Sequence, residues 1–273
     1  MKFFPIVVFA LALVISGCNS GFNKVMKSKD NAYKLRMAEQ YYAKKKYNLA
    51  QQLYEELLPY YKGQPEFEDM YYKYAYTAYY QKDYLNAENI FKNYLEVFPN
   101  SPRAEEVDFM RAYTFYKQSP KPELDQTNTL KAIGLMQTFI NTHPGSERNK
   151  EATAIIDELR KKLEIKDSKA AKLYYELSQF RAAAVAYESL LFEYPDSDKL
   201  DEYKYMSIQS YFRFAEMSVE EKKGERFEKV VQEANDFLER FPQSVYTKEV
   251  QQYLQSSETN LKTATNEPST TST

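Results

Sequence analysis

Tyr84-Leu85-Asn86-Ala87-Glu88-Asn89-Ile90-Phe91, closed eight residues later by Pro99-Asn100-Ser101-Pro102, is the stretch on which the fold turns. It sets an aromatic residue, a small residue three later, an apolar residue four after that, and a proline eight further on. Four other segments carry the same spacing. They are Tyr47, Ala50 and Tyr54, with Lys62 in the proline slot; Thr129, Ala132, Met136 and Pro144; Phe180, Ala183, Tyr187 and Pro195; and Phe227, Val230, Ala234 and Pro242. The closing words also match: VFPNSP, THPGSE, EYPDSD and RFPQSV. Steps of three and four put these residues on one face of an α-helix. The proline ends that helix, and the Ser or Asp after it can cap the next by accepting a backbone N–H. The small residue lets a neighbouring helix approach closely, and the larger side chains fill the gaps beside the contact.

This pattern resembles the tetratricopeptide repeat, a helix–turn–helix unit of 34 residues. Each helix pair leaves a face unburied, so pairs must stack. The expected fold is all-α, a right-handed solenoid of about five such pairs. Successive small residues are 37, 45, 51 and 47 positions apart (50, 87, 132, 183, 230), so helices or loops are extended. The extensions are expected at 119–127 and 218–226. Residues 146–179 contain neither Pro nor Gly after Gly145, and form one long helix or two with a polar break near Lys166-Asp167-Ser168.

The ends read differently. Lys2, an apolar run from Phe3 to Ile15, and small Ser16 and Gly17 before Cys18 form a secretory signal over 1–17. The run is shorter than the roughly 20 residues that span a bilayer. Ile15-Ser16-Gly17-Cys18 resembles the lipobox of bacterial lipoproteins, which implies acylation of Cys18 and an outer-membrane leaning from the absence of Asp at Asn19. Cys18 is the only cysteine, so it cannot close an internal disulfide. Residues 18–29 are expected as a lipidated tether. Residues 30–118 hold repeats one, two and the start of three, and 119–255 hold repeats three to five. The polar stretch 256–273 is expected as a disordered tail.

Composition excludes several functions. The chain has a net charge of −2, which argues against a nucleic-acid partner. His143 is the sole histidine and sits beside Pro144 at a helix end. No CxxC, HExxH, GxGxxG or P-loop spacing occurs. Pairs such as Glu55-Glu56 and Glu105-Glu106 read as solvated helix faces. No catalytic residue, metal site or cofactor is expected, and the chain reads as a binder, not an enzyme.

The chain holds 26 Tyr and 17 Phe but no Trp. In repeat two, Tyr71, Tyr74, Ala75 and Ala78 make one helical stripe; Tyr72, Tyr76, Tyr79 and Tyr80 make another. Repeat three echoes this with Phe109, Ala112, Tyr113 and Tyr116. A helix apolar on two sides is buried on both or offers one to a partner. Tyr42, Tyr72, Tyr76, Tyr79, Tyr80, Phe109, Tyr113 and Tyr116 are therefore candidates for a peptide groove on the first helices of the pairs, the alternative being inter-repeat core. On the groove reading, Tyr72→Ala with Tyr76→Ala weakens peptide capture without unfolding the chain.

One stretch is more specific. Leu124-Asp125-Gln126-Thr127-Asn128-Thr129-Leu130-Lys131-Ala132-Ile133, followed by Phe139-Ile140-Asn141-Thr142-His143-Pro144, resembles the D-Q-T-x-T-x-K-A-[IL] region of the BamD family of outer-membrane assembly lipoproteins. The tyrosine-heavy composition is similar to its Bacteroidetes branch. The resemblance spans 28–254. It implies a lipid-anchored place on the periplasmic face of the outer membrane, in the β-barrel assembly machinery. It also implies binding of BamA through its POTRA domains and of other Bam subunits by the C-terminal repeats. Unfolded outer-membrane proteins would be received by the N-terminal repeats. A Tol-Pal-associated or polysaccharide-export adaptor is the alternative reading.

Overall fold

The computed structural model describes residues 21–266. The expected signal segment 1–17, the expected acylation site Cys18 and residues 267–273 lie outside the described residues. Every regular element among them is helical. The helices are α1 (Asn31–Ala43), α2 (Tyr47–Tyr61), α3 (Phe67–Tyr80), α4 (Tyr84–Val97), α5 (Ala104–Gln118), α6 (Thr127–Thr142), α7 (Asn149–Glu176), α8 (Phe180–Glu193), α9 (Leu200–Glu216), α10 (Glu220–Arg240) and α11 (Thr247–Asn266). They make five pairs, with α11 closing the series. Successive helices pack from α1 through α6 and from α8 through α11.

The repeat spacing holds at the level of burial. Ala50, Ala87, Ala132, Ala183 and Val230 are fully buried on the second helices of the five pairs, as are Tyr54, Phe91, Met136 and Ala234 four residues on. A larger side chain at any of these small positions would push the paired helix away. Three of the second helices begin on the aromatic of the motif, at Tyr47, Tyr84 and Phe180. Each follows a three-residue turn whose middle residue is left-handed: Lys45 (φ 57), Lys82 (φ 64) and Ser178 (φ 57). That conformation reverses the chain within three residues.

The four proline turns are built alike. The residue before each proline donates its N–H back into the helix, at Phe98 to Tyr94 O, His143 to Phe139 O, Tyr194 to Leu190 O and Phe241 to Phe237 O. The serine two residues after each proline accepts the N–H of Arg103, Arg148, Lys199 or Tyr246, a bond within the turn and not the expected helix cap, since the N-caps Arg103 and Lys199 receive no side-chain cap bond. Each of these serine hydroxyls also donates to an acidic residue near the start of the preceding first helix or within it. Ser101 reaches Glu68 (2.7 Å), Ser146 reaches Glu105 (2.5 Å), Ser197 reaches Glu164, and Ser244 reaches Asp201 (2.6 Å). One hydroxyl thus fixes the turn between two helix pairs and ties it to the preceding first helix.

The chain divides into two compact units between Leu159 and Arg160, within α7. The third pair, α5 and α6, thereby belongs with the first two. In the first unit one core gathers Ala38, Leu53, Tyr54, Leu57 and Met70, and a second gathers residues of α3 to α7 around Phe91, Phe109, Phe139 and Leu159. In the second unit cores form around Ile208, Val230, Phe237 and Val250, and around Tyr187, Leu190 and Tyr203.

Several expectations need correction. Residues 21–26 are helical, and Phe22 and Val25 are buried in the first core, so this part of 18–29 is docked and not a free tether. Helix α11 runs to Asn266, through residues expected in the tail, because Val250 and Ser257 bury on one face and the helix continues from that packed start. Residues 146–179 form a single helix over Asn149–Glu176. The extension at 119–126 is a loop, whereas that at 218–226 mostly lengthens α10 to 21 residues.

The acidic pairs read as solvated are largely engaged between helices. Glu56 binds the buried Lys34, Glu105 accepts Ser146, and Glu106 accepts Tyr76. Those partners lie outside the carboxylates' own helices.

Candidate functional site

The candidate rings lie on α1, α3 and α5, the first helices of three successive pairs in the first unit. Ring contacts join them into one cluster. Tyr42 lies 6.5 Å from Tyr80, and Tyr80 is 5.7 Å from Tyr76. Tyr76 contacts Tyr72 at 4.7 Å and Tyr79 at 6.2 Å. Tyr79 reaches across to Tyr113 at 6.4 Å, and Tyr113 contacts both Tyr116 (5.3 Å) and Phe109 (5.8 Å). Two rings outside the candidate set complete it. Tyr47 stacks on Tyr80 at 4.6 Å, and Tyr84 meets Tyr79 at 5.7 Å. Both are first residues of second helices, where the repeat motif's aromatic slot had assigned them a packing role.

Burial sorts the set in two. Tyr76 is 6% exposed and Phe109 1%, so both are core. The joint Tyr72→Ala and Tyr76→Ala change would therefore destabilise the first unit as well as alter its face, where the sequence reading expected the face alone to change. The reason is neighbours from other helices: Phe91 stands 5.3 Å from the Tyr76 ring, and Glu106 accepts its phenol at 2.8 Å. Tyr42, Tyr72, Tyr79, Tyr113 and Tyr116 are half-buried, and Tyr80 is 45% exposed. These six rings, carried on a floor of Tyr76 and Phe109, form the accessible part.

Cations border the rings. The Arg103 guanidinium lies 4.5 Å from the Tyr72 centroid, and Arg148 lies 4.8 Å from that of Phe109. Lys117 is exposed, its Nζ 5.5 Å from the Tyr113 centroid and 5.8 Å from that of Tyr116. Ring faces are electronegative and hold cations at these distances. Arg103 also pairs with Asp69 (2.9 Å), which with Glu39 holds Lys73 between α1 and α3.

Six of the phenols are held above their ordinary value of 10. Burial raises Tyr42, Tyr72, Tyr76 and Tyr80. Burial, with the phenols of Tyr113 and Tyr84, pushes Tyr79 up to about 12. The hydrogen bond to Glu158 (2.8 Å) pushes Tyr116 up to about 12, with burial adding to it. The face thus offers apolar ring area, neutral hydroxyls and marginal positive charge.

The D-Q-T-x-T run has a local structural role. Gln126 is buried, and its Nε2 donates to Lys121 O (2.8 Å) and Leu124 O (3.0 Å). Thr129 Oγ1 donates to Gln126 Oε1 (2.7 Å) and meets Ser119 Oγ (2.7 Å). Asp125 Oδ1 accepts the Thr127 N–H at 3.0 Å, starting α6. The run clasps the 119–126 loop shut. His143 is a packing residue too: its ring lies on Phe139 (4.8 Å), and Nε2 meets Asp108 Oδ2 at 3.3 Å. No group of His, Cys, Asp and Glu among the described residues is arranged to hold a metal, and no helix among them is long and apolar enough to cross a membrane.

Residues 26–211 match the family described as YfiO, outer membrane lipoprotein. No curated protein matches the chain. Among solved structures, the TPR2AB domain of yeast Sti1, in a complex with pHSP90, is similar over 84% of this chain and 98% of its own, at 11% identity and a TM-score of 0.40.

Proposed function

Since the chain belongs to the YfiO outer membrane lipoprotein family, we propose that it is a non-catalytic scaffold of the β-barrel assembly machinery, lipidated at Cys18 and facing the periplasm. The aromatic face of the first unit receives unfolded outer-membrane proteins. The C-terminal repeats dock BamA through its POTRA domains. The observation that carries this reading is the ring surface of Tyr42, Tyr72, Tyr79, Tyr80, Tyr113 and Tyr116, continuous over three helix pairs and bordered by cations.

Such a surface suits an extended peptide with aromatic side chains. Tyrosine supplies large contact area with only two rotatable angles and a polar tip. Lys117, exposed at the α5 end of the stripe, is placed to meet a terminal carboxylate. A peptide ending in Phe with a free carboxylate then binds more tightly than its amide, and Lys117→Glu removes that preference. Holding substrate and partner on one chain raises the effective concentration of each for the other.

The test is to purify the lipoprotein from its own membrane in mild detergent and identify what accompanies it. Co-purification of BamA supports the proposal. Recovery of Tol-Pal or polysaccharide-export components with no BamA would overturn it.

A further inference from the structure

The N-terminal segment is docked in a way that leaves a basic face outward. On the turn 21–26, Phe22 and Val25 are buried and Met26 packs beside them, with the Phe22 ring 5.8 Å from Tyr41. The Lys27 N–H to Asn23 O and Ser28 N–H to Val25 O bonds close the turn. Ser28 Oγ then accepts the Asp30 N–H, and Asp30 caps α1 through the Tyr33 N–H at 2.8 Å. Phe22, Val25 and Met26 share one side of the turn, which leaves Lys24 and Lys27 together on the other.

Lys24, Lys27 and Lys29 are all exposed. An open cleft of about 680 Å³ is lined by Asn23, Lys24, Lys27, Ser28 and Tyr33, and the Arg36 guanidinium lies 5.9 Å from the Tyr33 ring centroid. Between Gly21 and Ala38 the chain carries Lys24, Lys27, Lys29, Lys34 and Arg36 against Asp30 alone. Lys34 is taken up by Glu56. The remaining cations stand out on a chain of net charge −2.

We propose that this face is a membrane-surface contact, in which Lys24, Lys27, Lys29 and Arg36 meet the phosphates of anionic lipid headgroups and Tyr33 sits at headgroup level. Its geometry rests on the reading of Cys18 as the acylated residue. Four residue steps join Cys18 to the buried Phe22. At no more than about 3.6 Å per residue they span about 14 Å. The first helix pair is thereby held at the bilayer, where an anionic surface still attracts cations before salt screens it over about 8 Å. The basic patch adds an electrostatic contact to the acyl anchor. The contact also turns a defined side of the first pair towards the lipid, which a free polar tether would not do.

The basic face can be tested apart from the anchor. Residues 18–273 with Cys18→Ser retain every described residue and carry no acyl group. This chain is co-sedimented with vesicles of phosphatidylcholine mixed with phosphatidylglycerol, and with phosphatidylcholine alone. The expected result is binding to the mixed vesicles only, weakened by salt. The triple change Lys24→Gln, Lys27→Gln, Lys29→Gln lowers it on the order of a hundredfold, from the share each basic residue contributes near an anionic surface. The three side chains are exposed, so thermal unfolding of the variant should match that of the parent. Should the variant fail to fold, the lipid and salt dependence of the parent decides. Equal binding to both vesicle types, or displacement from the mixed vesicles by inorganic phosphate far beyond that by chloride of equal ionic strength, overturns the proposal. Palmitate labelling of the full chain, lost in Cys18→Ser, supports the tether separately. No label would overturn the tether and leave the headgroup contact to the vesicle result.

Discussion

Replacing Tyr76 and Tyr80 by alanine one at a time distinguishes what the aromatic cluster holds up from what it presents. Tyr76 is 6% exposed. An aromatic side chain buries at least about 150 Å², worth on the order of 4 kcal/mol at 25 cal/mol per Å². That agrees with the roughly 3–5 kcal/mol lost when a buried aromatic becomes alanine. Removing the phenol alone, with Tyr76→Phe, deletes the 2.8 Å bond to Glu106. A hydrogen bond to a charged group contributes about 1.5–3 kcal/mol. The lower end applies here, because Glu106 keeps Arg148 at 3.8 Å and is partly solvated. Tyr80, 45% exposed and stacked on Tyr47 at 4.6 Å, should cost only about 1 kcal/mol as Tyr80→Ala. Urea unfolding followed by far-UV circular dichroism reads all three, with the first unit's transition shifting and its slope unchanged. A Tyr76→Ala loss under about 1 kcal/mol, or a Tyr80→Ala loss as large as that of Tyr76→Ala, would refute the division into floor and face.

Ser146→Ala removes both the turn bond from Arg148 N–H and the bond to Glu105, and should cost about 1–2 kcal/mol in the same unfolding assay; Ser146→Thr, which keeps the hydroxyl, should recover most of it. Acid should weaken the second unit. Burial favours the neutral acids, but hydrogen bonds from Lys204 and Lys229 to Glu233, and from Lys204 and Arg240 to Asp236, outweigh it and hold both carboxyls below their ordinary values of 4.5 and 3.8. Their stabilising contribution is complete above pH 4.5 and is lost as pH falls through the depressed values, so the urea midpoint should drop steeply from about pH 4 downward. At the alkaline end, Tyr79 and Tyr116, pushed up to about 12, should still lack phenolate absorbance at pH 11, where tyrosines of the unfolded chain, near 10, have ionised. Their contribution is present below pH 10 and is lost as pH rises through about 12.

The repeat was legible because its anchors are intolerant positions. A fully buried Ala87 or Ala183 admits nothing larger, and Pro99 or Pro195 can only follow a helix end. The serines were legible as turn residues, since they bind a backbone N–H two residues on, although that bond lies within the turn and not at the helix cap. Their second bonds were not, because Ser101 and Glu68 stand 33 positions apart and Ser244 and Asp201 stand 43. The same limit applies to the stripe. Tyr76 and Tyr80, four residues apart, share a helical face, and only the approach of Phe91 and Glu106 from other helices buries one and not the other. Polar composition misled at both ends. Phe22 and Val25 suffice to dock a segment that is otherwise polar, and α11 extends through Thr and Ser from a start that is well packed.

Site-specific photo-cross-linking in cells tests the receiving face most directly. A photoreactive residue is placed at Tyr80 or Tyr113, with exposed Leu85 on α4 as the control position. Cross-links to newly exported barrel proteins from 80 and 113, and not from 85, are the predicted outcome. Substrate cross-links from 85 as strong as those from 80 and 113, or none from either ring position, would contradict it.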